Sequence, residues 1–276
     1  MTSSTGTVTE NRGGLGWLGR WWRESPNAPA VVFLAILPVL VFAIPAMIGR
    51  PAISFDNLLQ NFPLRVLAGS DIRQGHLPLW NPTIWSGSPL LGGLNGGSFY
   101  PGTLLFVVFP AILAWVLNLI AVYWAAGLGM YALLRQFSLR PHACLLAAVT
   151  YQFGGAMTGQ LVHLGIIQGM GLMPLVVLAE IRLSWAVLGT GPARLEPATQ
   201  RATASPWPWV TLLAALFGLI FLTGEPRSMA EAELVAPFVV VWLAARPYPG
   251  AAVDIARRIR CLLYGVLGAL WGAAIG

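Results

Sequence analysis

The sequence predicts an all-α polytopic membrane protein with about seven transmembrane helices. Of its 276 residues, 57% are hydrophobic and only 9% are charged, whereas soluble domains carry about 25% charged residues. The apolar residues are grouped into separate runs, and several approach the roughly 20 residues that a helix needs to cross a bilayer. The arginines lie singly between these runs, which is typical of topology signals.

The apolar runs divide the chain into a polar N-terminal segment, residues 1–29, and a membrane domain, residues 30–276. Pro110 interrupts the long apolar tract 101–134, which predicts a short interfacial helix followed by a span. The last run is short for a span and ends without a flanking charge, which indicates the N-terminal portion of a longer protein. The predicted spans are 30–49, 113–134, 142–158, 165–183, 207–223, 230–245 and 261–276.

The basic residues are all arginine, and they orient the chain. With the N-terminus in the cytoplasm, twelve arginines fall on the cytoplasmic side and four outside, which is a strong positive-inside bias. The polar stretch 50–100 is then a long extracytoplasmic first loop, which we expect to contain short interfacial helices. The shorter loops 158–165 and 223–233 face the same side. The chain is therefore predicted to be a multi-pass protein of the cell membrane.

Several function classes lack their sequence signatures. The chain has no P-loop, dinucleotide-binding glycine fingerprint, HExxH or CxxC motif. Its two cysteines, Cys144 and Cys261, lie in apolar runs and indicate neither a disulfide framework nor a metal site. We therefore predict no resident metal site and no nucleic-acid partner.

Asp56 is the leading candidate for a catalytic residue. It follows the first span and begins "DNLLQNF", a pattern that predicts a short amphipathic helix on the bilayer surface. Ionisable groups beside hydrocarbon are costly and usually functional, although Asp56 would also serve as a helix N-cap. The candidate substrate-binding residues on the same side are Arg65, Arg73, His76, Trp80, Tyr100, His163, Glu225 and Arg227.

These residue types suit transfer of a group from a phosphate to a hydroxyl. A carboxylate takes the hydroxyl proton and arginines hold the phosphate, while Trp80 and Tyr100 would stack on a sugar ring. The structural alternatives are interfacial aromatics for Trp80 and Tyr100, a hydrogen-bonded structural role for His163, and an exposed ion pair for Glu225 and Arg227.

Five stretches carry a family resemblance. They are "DNLLQNFPLRVLAGSDIRQGHLPLWNP", "GSPLLGGLNGGSFYP", "GLGMYALLRQFSLRPHACLLAAVTYQFGGAMTG", "HLGIIQGMGLMPLVVLAE" and "TGEPRSMAEAEL". Through them, residues 53–235 resemble the YfhO-type bacterial membrane proteins, within the wider type C (GT-C) glycosyltransferase group. The resemblance implies a GT-C-like membrane domain in which Asp56, an acid in the first extracytoplasmic loop, is the catalytic base. Glu225 departs from the family pattern, which has a histidine at this place.

The implied activity is sugar transfer from a polyprenyl-phosphate-linked donor to a cell-envelope acceptor on the extracytoplasmic face. The acceptor would be a glycan, a lipid or a protein, and a divalent cation (Mg²⁺ or Mn²⁺) is compatible with this chemistry. Two alternatives come from other classes: a membrane transporter or lipid flippase, and a non-catalytic envelope-assembly protein.

Overall fold

The computed structural model describes residues 25–53, 55–93, 95–190, 205–246 and 253–275, so most of the predicted N-terminal segment lies outside the described residues. The described chain is mostly helical, with almost no strand. A π-helical turn, Asn57–Asn61, leads into the second helix, and two short antiparallel strands, β1 (Trp80–Asn81) and β2 (Ser88–Pro89), lie before the third. The helices are α1 (Ala28–Met47), α2 (Phe62–Arg73), α3 (Pro101–Val108), α4 (Ala111–Arg135), α5 (Pro141–Phe153), α6 (Gly155–Gly159), α7 (Leu164–Leu188), α8 (Trp207–Leu222), α9 (Pro226–Ala245) and α10 (Ile255–Ile275).

Four of the described helices, α1, α4, α7 and α9, are long and apolar enough to cross a membrane, and α8 is a shorter apolar helix. The predicted class, an all-α membrane protein, is confirmed at this level. The break predicted at Pro110 is also confirmed, because α3 ends at Val108 and α4 begins at Ala111. The third predicted span, 142–158, is short and interrupted by glycine in the sequence, and the structure breaks it there, since α5 ends at Phe153 and the short α6 follows.

The helices pack around α4 and α7. Helix α4 contacts α1, α3, α5 and α7, while α7 also contacts α8, α9 and α10. Trp115 and Tyr123 are fully buried at the centre of the contacts that α4 makes. Helix α1 leaves an apolar face uncovered, with Phe33, Leu40 and Ile44 about half exposed. Such a continuous apolar face is what a lipid-facing helix presents.

Proline inside α1 frees a backbone carbonyl that another helix then satisfies. Pro38 has no N–H, so the carbonyl of Leu34 loses its intrahelical donor. The side chain of Gln152 on α5 donates from Nε2 to this carbonyl, at 3.3 Å, and also to the carbonyl of Tyr123, at 2.8 Å. A polar side chain in an apolar helix therefore joins α1, α4 and α5.

The same compensation occurs in α7. Pro174 removes the N–H that would bond the carbonyl of Met170, and the hydroxyl of Tyr151 donates to that carbonyl at 2.7 Å. Unpaired backbone groups cost several kcal/mol in hydrocarbon, so this bond fixes α5 beside α7. The start of α7, where the polar loops meet, is thereby held against the bundle.

Candidate functional site

The first loop and the start of α7 meet at Asp56 and His163. His163 Nε2 lies 3.1 Å from Asp56 Oδ2, and both side chains are partly exposed, at 42% and 54%. The other ring nitrogen, Nδ1, lies 2.9 Å from Oε1 of Gln160. A carboxylate only accepts hydrogen bonds, so the contact requires an N–H on Nε2 that points to Asp56. One carboxylate, one imidazole and one amide thus form a row at the protein surface.

The side chain of Asp56 does not cap a helix, so the N-cap interpretation is wrong. Asp56 occupies the position before the π-helical turn, but its carboxylate makes no capping hydrogen bond. The carboxylate instead contacts His163, which is far from it in the sequence. Because an exposed ion pair adds only about 0–1 kcal/mol to stability, folding energy alone does not account for this carboxylate at the surface.

Asn57, the residue after Asp56, connects the first loop to the start of α7 by hydrogen bonds. Its side chain is fully buried. Nδ2 donates to the carbonyl of Leu161 at 2.6 Å, and Oδ1 accepts from the backbone N–H of Leu164 at 3.3 Å. The two residues bonded to Asn57 lie on either side of His163 in the sequence. The position of Asp56 relative to His163 is therefore set by the neighbouring Asn57.

The π-helical turn and α2 are amphipathic, but their polar side is buried and their apolar side is exposed, which is the reverse of a helix on a soluble protein. Asn57, Asn61 and Arg65 recur every four residues and are buried, whereas Leu58 and Leu59 are 57% and 80% exposed. The polar stripe therefore faces the protein and the leucines face outward. An outward apolar face suits a helix at the surface of a bilayer, and the placement of this segment there stays a prediction.

The buried stripe continues into the bundle as a chain of hydrogen bonds. Asn61 donates to Asn57 at 3.1 Å, and Arg65 donates to Asn61 at 3.4 Å. Arg65 also donates to Gln168 on α7 at 3.2 Å, and Gln168 donates to Asn118 on α4 at 3.3 Å. This chain connects the first loop with both central helices.

Arg65 is a structural link in this chain. Its side chain is fully buried and also donates to the carbonyl of Asn95 at 3.4 Å. Burial lowers the pKa of the Arg65 guanidinium to about 10, an effect that nearby Tyr100 opposes. Burial also raises the pKa of the Tyr100 phenol to about 12, against the influence of Arg65. The guanidinium stays charged at neutral pH, so its predicted contact with a substrate phosphate would require the loop around it to open.

The start of α9 packs onto the start of α7. Gly165 and Gly169 leave room for this contact, because a Cβ on them would lie 2.7 Å from Glu225 Cβ and 2.5 Å from Ser228 Cβ. Small residues four apart let two membrane helices approach closely. Glu225 is thereby placed beside Gly165, two residues from His163. The three polar loops lie close together, as expected from their predicted position on the same side of the membrane.

Arg227 does not form its side-chain ion pair with Glu225. Its Nε donates to Glu231 Oε1 at 2.9 Å, and both side chains are partly exposed. Glu225 accepts a hydrogen bond from the backbone N–H of Arg227 instead, at 3.4 Å. Glu225 thus serves as the N-cap of α9, and the guanidinium of Arg227 stays at the surface.

The remaining predicted residues lie outside this convergence. Arg73 donates to the carbonyls of Phe106 and Val107, at 2.7 and 2.9 Å, and so ties α2 to the end of α3. His76 is exposed and follows α2. Trp80 lies on β1 and is 54% exposed. The contacts of Arg73 are those of a structural residue, while the roles predicted for His76 and Trp80 stay predictions.

An apolar cavity of about 830 Å³ lies beside the site. Its lining comes from the π-helical turn and α2, with Leu59, Phe62 and Leu67, and from the two strands and the residues near them, with Ile84 and Trp85. Asp56 and His163 are not part of its lining, but the π-helical turn that follows Asp56 contributes to it. The cavity is large enough for part of a lipid-like ligand.

Sequence reasoning missed most of the buried polar chain. Asn57, Asn61 and Arg65 carry a readable signal, because polar residues four apart share one face of a helix. Asn118 carries no such signal, since it is a single polar residue in an apolar span. Among the residues that the structure describes, no group of three or more His, Cys, Asp or Glu side chains could hold a metal ion. These donors do not fit a protein-held divalent cation, and no catalytic step is assigned to one.

Comparison of the chain with protein-family models, with curated proteins and with solved structures found no match.

Proposed function

We propose that the protein is a membrane glycosyltransferase that moves a sugar from a polyprenyl-phosphate donor to a hydroxyl of a cell-envelope glycan, lipid or protein. The observation that carries this proposal is the contact between Asp56 and His163 at 3.1 Å, at the protein surface where the three polar loops meet. A partly exposed carboxylate held by an imidazole is suited to take a proton from a hydroxyl.

The proposed reaction is a direct displacement. Asp56 takes the proton of the acceptor hydroxyl, and the hydroxyl oxygen forms a bond to the anomeric carbon of the sugar. The bond between that carbon and the phosphate oxygen breaks, and the polyprenyl phosphate leaves with the electron pair. His163 holds one oxygen of Asp56 through Nε2, which leaves the other oxygen for the acceptor.

Arg227 is the best of the three predicted arginines for the leaving phosphate. Its side chain is exposed, whereas Arg65 is buried and Arg73 donates to backbone carbonyls. Arg227 also lies two residues after Glu225, which packs beside Gly165 at the start of α7. The apolar cavity along α2 suits the isoprenoid part of the donor.

The membrane arrangement that goes with this function has seven spans, a cytoplasmic N-terminus and an extracytoplasmic first loop. Both native cysteines are buried, so Gln60→Cys, at an exposed position of the π-helical turn, introduces an accessible thiol. A membrane-impermeant maleimide should label this thiol in intact cells. Labelling only after the membrane is permeabilised would place the loop on the cytoplasmic side and remove the proposal.

The activity test uses the full chain in lipid nanodiscs. Radiolabelled polyprenyl-phosphate sugars are supplied with envelope membranes as acceptor, and transfer of label to a new product is measured. Asp56→Asn should lower the rate by about 10²–10⁴, the usual contribution of a general base. The matched control is Asp71→Asn, which removes another first-loop carboxylate and should leave the rate unchanged. Unchanged transfer in Asp56→Asn would refute the assignment.

One observation favours the transporter alternative. Glu180 and Glu233 lie within helices that are candidate spans, and carboxyl groups inside spans are typical of transport pathways. In a transporter, Asp56→Asn would leave the movement of its solute intact, which separates the two functions.

A further inference from the structure

Another cavity, of about 370 Å³, lies between α7, α9 and α10. It is far along the sequence from the first loop and shares no lining residue with the cavity beside α2. Among the described residues that line it, Glu180 and Glu233 carry the ionisable side chains, and the rest are apolar or glycine, such as Pro237, Val240 and Leu262. An apolar cavity with a few polar groups is the usual form of a small-molecule site.

Glu180 is deep in the bundle. It lies sixteen residues after Leu164 and eight before Leu188, so it is about 24 Å from one end of α7 and about 12 Å from the other. Its side chain is 1% exposed, and Oε2 has no hydrogen-bond partner among the described residues. A buried polar atom without a partner costs about 1–3 kcal/mol. The fold therefore keeps an unsatisfied acid at the wall of a cavity.

The walls of the cavity offer hydrogen-bond acceptors. Glu233 is an exposed residue of α9 that borders the same cavity. Pro237, four residues later in α9, has no N–H and so removes the intrahelical donor of the Glu233 carbonyl. Two carboxyl-bearing residues thus line a volume whose other walls are apolar.

Two arginines on the neighbouring helices make their contacts away from the cavity lining. The guanidinium of Arg182 lies over the rings of Trp185 and Trp209, at 5.6 Å from each centroid. Arg258 on α10 donates to the carbonyls of Ala244 and Arg246. No arginine belongs to the described lining of the cavity, so none of these lining residues supplies a cation to balance the two carboxyl groups.

We propose that this cavity is an intramembrane binding site for an apolar molecule with an amine head, whose N–H bonds Glu180. The amine supplies the donor that Oε2 lacks, and a protonated amine with a carboxylate forms a neutral pair, which hydrocarbon tolerates better than either charge alone. The apolar body of the ligand fills the space along α9 and α10. Anionic lipids are disfavoured by both carboxyl groups. The site does not depend on the proposed sugar transfer, because it shares no lining residue with the cavity beside α2.

Labelling with dicyclohexylcarbodiimide tests the site in the wild-type chain. This apolar reagent adds to a protonated carboxyl group in a membrane: the acid proton moves to a carbodiimide nitrogen, the carboxyl oxygen bonds to the central carbon, and the adduct rearranges to a stable acylurea. We expect labelling at Glu180, located by peptide mass spectrometry. Absence of label at Glu180 would overturn the proposal, because the acid would then not be reachable from the cavity.

N,N-dimethyldodecylamine is the ligand probe, since its tertiary nitrogen cannot be acylated to an amide. At ten times its Kd, occupancy leaves about a tenth of the sites open, so labelling of Glu180 should slow about tenfold. The control, 1-dodecanol, has the same alkyl chain and should not slow it. Equal slowing by both compounds, or by neither, would contradict an amine site.

A variant gives a second readout. The amine should raise the unfolding temperature of the wild type and of Asp254→Asn, which removes an exposed acid at the start of α10. It should not raise that of Glu180→Gln. An equal rise in Glu180→Gln would overturn the role of the carboxylate, and the labelling experiment remains decisive if Glu180→Gln does not fold.

Discussion

Replacing Asn57 by alanine tests whether the first loop is held to α7 by this one side chain. Asn57 is fully buried and joins three groups: the Leu161 carbonyl at 2.6 Å, the Leu164 N–H at 3.3 Å and the Asn61 amide at 3.1 Å. Asn57→Ala leaves all three without this partner. At about 1–3 kcal/mol for each orphaned group, the loss is at least about 3 kcal/mol.

The expected loss is large enough to measure in detergent or nanodiscs. For a chain of this size, 1 kcal/mol shifts the unfolding temperature by about 2–4 °C, so Asn57→Ala should lower it by about 6–12 °C. Hydrogen exchange gives a local readout, because the Leu164 amide donates to Asn57. A loss of about 3 kcal/mol should speed its exchange by about 10².

The matched control is Gln60→Ala in the same π-helical turn. Gln60 is exposed, so this change should stay within about 0.5 kcal/mol. If Asn57→Ala and Gln60→Ala unfold at the same temperature, and the Leu164 amide keeps its protection, the first loop is not fastened through Asn57. The position of Asp56 would then need another explanation.

Two further predictions concern packing and pH. Gly127→Ala should destabilise the fold by about 1–3 kcal/mol, because a Cβ there would lie 2.6 Å from the Gln152 side chain. Thermal unfolding measures this loss. The control is Gly155→Ala, where the added Cβ meets nothing within 4 Å. Burial raises the pKa of Tyr100 from 10.0 to about 12, so the unfolded chain releases this proton first, and stability falls as pH rises through that window. Tyr100→Phe should show a smaller loss of stability between these two pH values, and an equal loss would refute the assignment of this effect to Tyr100.

The helices could be predicted because their signals are local. Hydropathy located the apolar segments, and Pro110 marked the boundary between α3 and α4. The end of α7 was placed at residue 183, whereas the helix continues to Leu188. The predicted end left Glu180 close to a loop, so the sequence did not single it out as an acid deep in the bundle. Helix ends carry weaker signals than helix centres.

The candidate site was predicted in part. Asp56 and His163 were singled out separately, and the common side of their loops predicted that they approach each other. Their direct contact depends on Asn57, whose bonds join residues more than one hundred positions apart. A single sequence does not contain such pairings. Arg65 was singled out for its charge as a ligand of the substrate phosphate, and nothing in the sequence indicated that the fold buries its side chain against α7.

A double-mutant cycle on Asp56 and His163 tests the central claim, that the two side chains act as one catalytic unit. Sugar transfer from the polyprenyl-phosphate donor is measured in the wild type, in Asp56→Asn, in His163→Gln and in the double variant. Residues that act as a unit are strongly non-additive, so the double variant should be no slower than Asp56→Asn alone. If the two losses multiply, or if Asp56→Asn transfers sugar at the wild-type rate, the pair seen at 3.1 Å is not the catalytic centre.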